Sequence, residues 1–181
     1  MAAPYTIRVV GDPVLRASAA EVTDIDGRLV KLTEDMFETM YAAPGIGLAA
    51  PQVGVGKRVF VYDLDPEERS QQQVLINPRI VESHGEWTYE EGCLSIPGLA
   101  FEIVRPKEVH LVGIDLDGNE VSVEADELTA RLFQHELDHL DGVLMTERMD
   151  ADTKKQALKE IRAMRERLDA GERETKGLRF G

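Results

Sequence analysis

Five residues, His135-Glu136-Leu137-Asp138-His139, constrain this chain more than any other stretch. In a helix, positions four apart stand one turn apart on one face, so both imidazoles can reach a single metal ion. In a strand the same two side chains would lie ~13 Å apart, too far to share one. The segment is therefore expected to be helical. Glu136 sits beside the first histidine and can reach a metal-held water, which suits it to be a general base. Leu128 and Leu132 fall on the same helical face. An apolar strip thus leads to the histidines and offers a dock for a hydrophobic side chain.

A catalytic ion usually takes three protein ligands. A third histidine at the metzincin spacing is excluded, because Gly142 is present but position 145 is Met145. A downstream carboxylate, Glu160, would give a zinc endopeptidase of the HExxH type. It lies beside Ile161 on a helix whose other charges face solvent. The remaining soft donor is Cys93, in Glu91-Gly92-Cys93-Leu94-Ser95, whose thiolate would bind Fe²⁺ or Zn²⁺ strongly. As the only cysteine it cannot form an internal disulfide, which suits a reducing cytoplasm.

The rest of the chain supplies a frame for that helix. Apolar residues Leu29, Leu32, Met36 and Met40 recur at helical spacing, widened by Val30 and Phe37, and predict a helix over 26–42 ended by Pro44-Gly45. Asp126 is expected to cap the metal-binding helix, and Gly142 to stop it near residue 140. A last helix is expected over 152–168, with Ala157, Ile161, Met164 and Leu168 on one side. Residues 59–62 read as a strand, as do 74–76 and 80–81, divided by Asn77-Pro78. Residues 109–115 and 120–123 flank a hairpin turn at Asp117-Gly118-Asn119. The polar stretch 65–73 reads as a solvated loop, and 7–15 as extended chain broken at Gly11-Asp12-Pro13. Strands in the middle and helices near the ends make the class α+β, and the length suits a single domain over 1–181, with 152–181 as C-terminal helix and tail.

Composition removes several functions. Thirty-four acidic against 21 basic residues give a net charge of −13, which argues against a general or sequence-specific nucleic-acid binder. No apolar run approaches the ~18 residues of a membrane span, and the first ten residues lack the pattern of a secretory signal.

Residues 45–52, Gly45-Ile46-Gly47-Leu48-Ala49-Ala50-Pro51-Gln52, are small and apolar and end on an amide that can donate a hydrogen bond. Small residues permit a peptide backbone to approach closely. This segment, residues 91–95 and residues 135–139, in that order, closely resemble the three motifs of peptide deformylases of the bacterial type, and the resemblance covers essentially the whole chain. It implies short, mostly antiparallel sheets around a central metal-binding helix, plus a C-terminal helix. It implies a metallohydrolase that removes the formyl group from the N-terminal formyl-methionine of new polypeptides and releases formate. Under it, Cys93, His135 and His139 bind one divalent ion, usually Fe²⁺, with Zn²⁺, Ni²⁺ or Co²⁺ as substitutes. Glu136 is then the general base and acid, while the Gln52 amide and the Leu94 N–H stabilise the oxyanion. Gly45, Ile46, Gly47 and Gly92 would lie along the substrate backbone, and Leu128, Leu132 and Tyr89 around the methionine side chain. Glu91 and Asp138 would support the ligands. The C-terminal segment 151–181 has nine basic and six acidic residues, so residues 1–150 hold a net −16. A basic terminal helix on an acidic body suggests a weak ribosome contact.

Overall fold

The strands of the central sheet alternate large side chains between two helices, which sets the architecture. In β2 (Val59–Asp63), Phe60 and Tyr62 join one apolar cluster and Val59 and Val61 another, as the two-residue period of a strand requires. The computed structural model describes residues 2–171; the part of the expected basic tail over 172–181 lies outside the described residues. Its main sheet has the order β1-β2-β3-β6-β7 and is antiparallel throughout, with β1 at Gly47–Ala49, β3 at Gln72–His84, β6 at Glu108–Ile114 and β7 at Glu120–Asp126. The strands β4 (Trp87–Cys93) and β5 (Ile96–Arg105) form a separate antiparallel pair.

Helix α1 (Gly27–Ala42) packs Leu29, Leu32, Met36, Phe37 and Met40 on one sheet face. The side chain of Asp26 caps it by accepting the Leu29 N–H at 2.9 Å. Val30 belongs to the open side of that helix instead of the stripe. Helix α2 (Glu127–Leu140) covers the opposite face through Leu132, Phe133 and Leu140. Helix α3 (Ala151–Asp169) lays Ala157, Ile161, Met164 and Leu168 against Ile96, Phe101 and Ile103 of the β4–β5 pair. The fold is α+β, as expected.

Two local expectations are corrected. Asn77-Pro78 does not divide two strands; β3 runs through it with a bulge between Ile76 and Arg79. Asn77 takes a positive φ of 50°, which asparagine tolerates, and its amide exchanges two hydrogen bonds with the Val22 backbone, at 2.8 and 2.9 Å. The strand is bent there and pinned to the N-terminal region. Asp126 precedes α2, yet its side chain makes no capping bond. The turn into the helix is made by Glu127 at φ 45°, whose N–H donates to the Lys107 carbonyl at 2.8 Å. At the other end Gly142 has φ 71°, and a Cβ there would meet the Arg16 carbonyl oxygen at 2.7 Å. Only glycine fits that stop.

Residues 8 to 10 run alongside two later segments of the chain. The Arg8 N–H donates to the Gln52 carbonyl at 2.7 Å, and the Val10 N–H to the Ser95 carbonyl at 2.9 Å. Two distant chain segments are thereby tied together.

Candidate metal centre

Three buried donor atoms converge between α2 and the end of β4. Cys93 Sγ lies 3.3 Å from His139 Nε2, which lies 3.2 Å from His135 Nε2, and the three atoms are all within 4.8 Å of one another. Bonds of ~2.0–2.3 Å at tetrahedral angles would hold ligand atoms about 3.3–3.7 Å apart. The donor set therefore fits one divalent ion. Glu160, the alternative ligand, belongs to α3 and accepts a hydrogen bond from Gln156 at 2.6 Å. The group formed among the described residues contains Cys93 instead.

Local structure explains how each donor arrives. The turn Leu94-Ser95 between β4 and β5 is tight, and the register shifts between Gly92 and Cys93. Such an irregularity re-aims a side chain, here bringing the sulfur towards α2. The Ser95 N–H points at that sulfur from 3.4 Å. His135 and His139 stand one turn apart, as their spacing requires.

Behind the donors lies a charge cluster that is buried except at Arg148. Glu91 accepts a hydrogen bond from His135 Nδ1 at 2.5 Å, which leaves Nε2 for an ion. Its oxygens also accept from Arg105 at 2.7 and 2.9 Å and from Arg131 at 2.8 Å. Arg105 continues to Asp138 at 2.9 Å, and Asp138 accepts from Arg148 at 2.6 and 3.1 Å. Glu91 and Arg131 are 0% exposed and Arg105 4%. Burial pushes the Glu91 pKa up, but His135 and Arg105 outweigh it and hold the carboxyl well below the usual range. Burial likewise opposes charge on His135, yet Cys93 and Glu91 prevail and raise its pKa well above the ordinary value.

Gln52 and Glu136 border the donors. Gln52 Oε1 accepts the Ala49 N–H at 3.0 Å, which fixes the amide so that Nε2 donates towards Ser95 Oγ at 3.1 Å and Cys93 Sγ at 3.8 Å. Glu136 is fully buried beneath β1: a Cβ on Gly47 would sit 2.7 Å from its Oε1. Glycine at 47 thus makes room for the carboxylate.

A groove of about 480 Å³ opens beside these residues. Ile46, Tyr89, Gly92 and Leu128 line it, together with Leu64 and Pro66 from the loop 64–71. That loop, read from sequence as merely solvated, is a wall. Gly45 and Gly47 are buried at the edge of the main sheet. Leu132 is 0% exposed and packs with Phe133 and Tyr62 in the core, so it backs the groove without lining it. His84 and His110 line a separate groove with Glu82, Glu108 and Glu124.

Arg105, Arg131 and Arg148 were missed by sequence reading. A signal existed for Arg131, which lies four residues before His135 and so on the same helical face. Its guanidinium also faces the stacked rings of Trp87 and Tyr89, 5.1 and 5.8 Å from their centroids, and donates to the Trp87 carbonyl at 2.6 Å.

A thiolate and two imidazoles beside a helix-borne carboxylate, with an apolar groove alongside, define a metal-dependent hydrolase of the HExxH class. The chain matches the polypeptide deformylase family over residues 4–155. It is 49% identical to the peptide deformylase of Thermodesulfovibrio yellowstonii over 144 residues, covering 79% of this chain and 87% of that one. It superposes on the Legionella pneumophila enzyme with a TM-score of 0.86 at 38% identity, covering 93% and 99% of the two chains. For the Synechococcus elongatus enzyme, solved in complex with actinonin, the score is 0.84 at 42% identity, covering 88% of each. The chain belongs to the peptide deformylase family, metal-dependent enzymes that remove the formyl group from the N-terminal methionine of newly made polypeptides.

Proposed function

We propose that Cys93, His135 and His139 hold one divalent ion, Fe²⁺ in the native protein, and that this centre deformylates formyl-methionyl nascent chains. The convergence of the three donors within 4.8 Å carries the reading. When bound, the ion supplies Lewis acidity at the formyl oxygen and makes a coordinated water acidic enough to act near neutral pH. Glu136 takes the proton from the water that attacks the formyl carbon and delivers it to the leaving amine nitrogen. Gln52 Nε2 and the Leu94 N–H donate to the oxygen on which charge develops. Ile46, Tyr89, Gly92 and Leu128 receive the methionine side chain and the extended peptide, with Gly45 and Gly47 beside the backbone and Leu132 behind them.

Cys93→Ser is expected to lose both bound metal and formate release, measured on anaerobically purified protein. A zinc endopeptidase using Glu160 would keep its metal and its peptidase activity in this variant, and retention of the metal would exclude the thiolate ligand. Metal analysis of the same wild-type preparation identifies the resident ion; zinc alone would exclude Fe²⁺.

No helix among the described residues is long and apolar enough to cross a membrane. Acting on nascent chains, the protein is proposed to work in the cytoplasm as a single catalytic domain over 1–181. We also propose that α3 and the tail after it supply a weak ribosome contact. The basis is their excess of three positive charges beside a body of net −16. Reversing Lys154, Lys155, Lys159 and Arg162 should abolish co-sedimentation with ribosomes at low salt while formate release from short peptides persists. Unchanged co-sedimentation would sink the contact.

A further inference from the structure

The groove is lined in part by Ile46 and by Leu64 to Glu67 of the loop 64–71, which come from different parts of the chain. Asp63 bonds to both of them. Asp63, the last of β2, is 0% exposed. Its backbone N–H donates to the Ile46 carbonyl at 2.9 Å. Its Oδ1 accepts from the Asp65 N–H at 2.9 Å and from the Gln71 N–H at 3.2 Å, one near each end of the loop. Its Oδ2 accepts the Tyr41 hydroxyl at 2.6 Å, and that hydroxyl accepts from Gln72 Nε2 at 2.9 Å.

The loop is held from other directions too. The Arg69 N–H donates to the Asp65 carbonyl at 2.8 Å, closing a turn within the loop. The Arg69 guanidinium lies over the Tyr41 ring, 4.3 Å from its centroid, and pairs with Glu38 at 3.1 Å. Burial, with the Asp63 carboxylate adding to it, pushes the Tyr41 pKa up to about 12. Tyr41 therefore remains a donor throughout the working range. A buried carboxylate that accepts two loop amides and a phenol is more than a surface turn requires.

We infer that Asp63, with Tyr41, is a positioning residue for peptide binding: it latches loop 64–71 at a fixed distance from Ile46 and so sets the width of the groove. The inference rests on the deformylase reading only for the identity of the peptide. No atom of Asp63 takes part in proton transfer, so the latch governs how well substrate is held and not the chemical step.

The test uses the metal-loaded full chain and a formyl-methionyl tetrapeptide. Asp63→Ala is expected to raise KM about tenfold and to change kcat less than about twofold. Asp63→Asn keeps the single oxygen that accepts both loop amides, and should restore KM to within about threefold of the original. Tyr41→Phe removes one hydroxyl and should raise KM about threefold; it carries the test if Asp63→Ala does not fold. Hydrogen exchange over 64–71 should quicken in Asp63→Ala or Tyr41→Phe, and stay slow in Asp63→Asn. A lower melting temperature with unchanged KM and unchanged exchange would reduce Asp63 to a structural anchor and overturn the latch. So would a fall in kcat at constant KM. If the unmodified protein released no formate, the deformylase reading would fail, and loop exchange alone would still decide whether the latch exists.

Discussion

Glu136→Gln should lower kcat for formate release about 10²–10⁴-fold while the protein keeps its metal and its fold. The substitution preserves volume and removes only the capacity to accept and return a proton. Cys93, His135 and His139 are untouched, so metal content should match that of the unmodified enzyme. The carboxylate has no room to be replaced by a neighbour. It is fully buried, and the backbone of Gly47 closes over it at the distance where a single methyl would collide. No carboxylate belongs to the donor group among the described residues. A variant retaining more than about a tenth of the activity would transfer the proton-handling role elsewhere.

Glu91→Gln should be the most damaging substitution for stability, about 3–5 kcal/mol by urea denaturation, because it strands buried positive charge. Arg105 and Arg131 both direct guanidinium nitrogens at this carboxylate from no more than 2.9 Å, and neither is more than 4% exposed. Metal affinity should fall by about 10–100-fold as well, since the same carboxylate orients His135. The pH dependence gives a second readout. The folded-state pKa of Glu91 is held far below its ordinary value of 4.5, so its contribution is fully present above 4.5. Below that, the unfolded chain takes up the proton first, and stability falls as pH is lowered towards the folded pKa. The unmodified protein should therefore lose stability more steeply than Glu91→Gln between about pH 5 and 3. Parallel curves would mean that Glu91 is not ionised in the fold.

The residues that converge between α2 and β4 were legible because chemistry restricts residue type. Two histidines one helical turn apart, a cysteine after glycine, and an amide at the end of a small-residue run are hard to exchange for anything else. The helices were legible through period alone: Leu29, Leu32, Met36 and Met40 all meet the sheet. What stayed hidden was information that only tertiary structure creates. Arg105 and Arg148 look like solvated charges until folding places Glu91 and Asp138 beside them. Strands β4 and β5 escaped notice because the charged pair Glu90-Glu91 obscures their alternation, and because Glu91 and Arg105 are charged side chains that point inward to partners. Asn77-Pro78 looked like a break because the stabilising amide contacts come from Val22, far away in sequence. Loop 64–71 looked inert because its polar residues bond mostly within the loop and to Asp63.

The threading of residues 8 and 10 behind Gln52 and Ser95 has a bearing on how the enzyme is born and engineered. Val10 gains its Ser95 partner only after Ser95 has left the ribosome, and the last donor of the buried group follows only after residue 139. No shortened nascent fragment can therefore own a working centre. Fusions that leave residues 5–10 free to lie in their track should be harmless, whereas trimming into that track should loosen Gln52 and the Cys93 turn together. Residues 8 to 10 act as a drawstring on two segments that are encoded later.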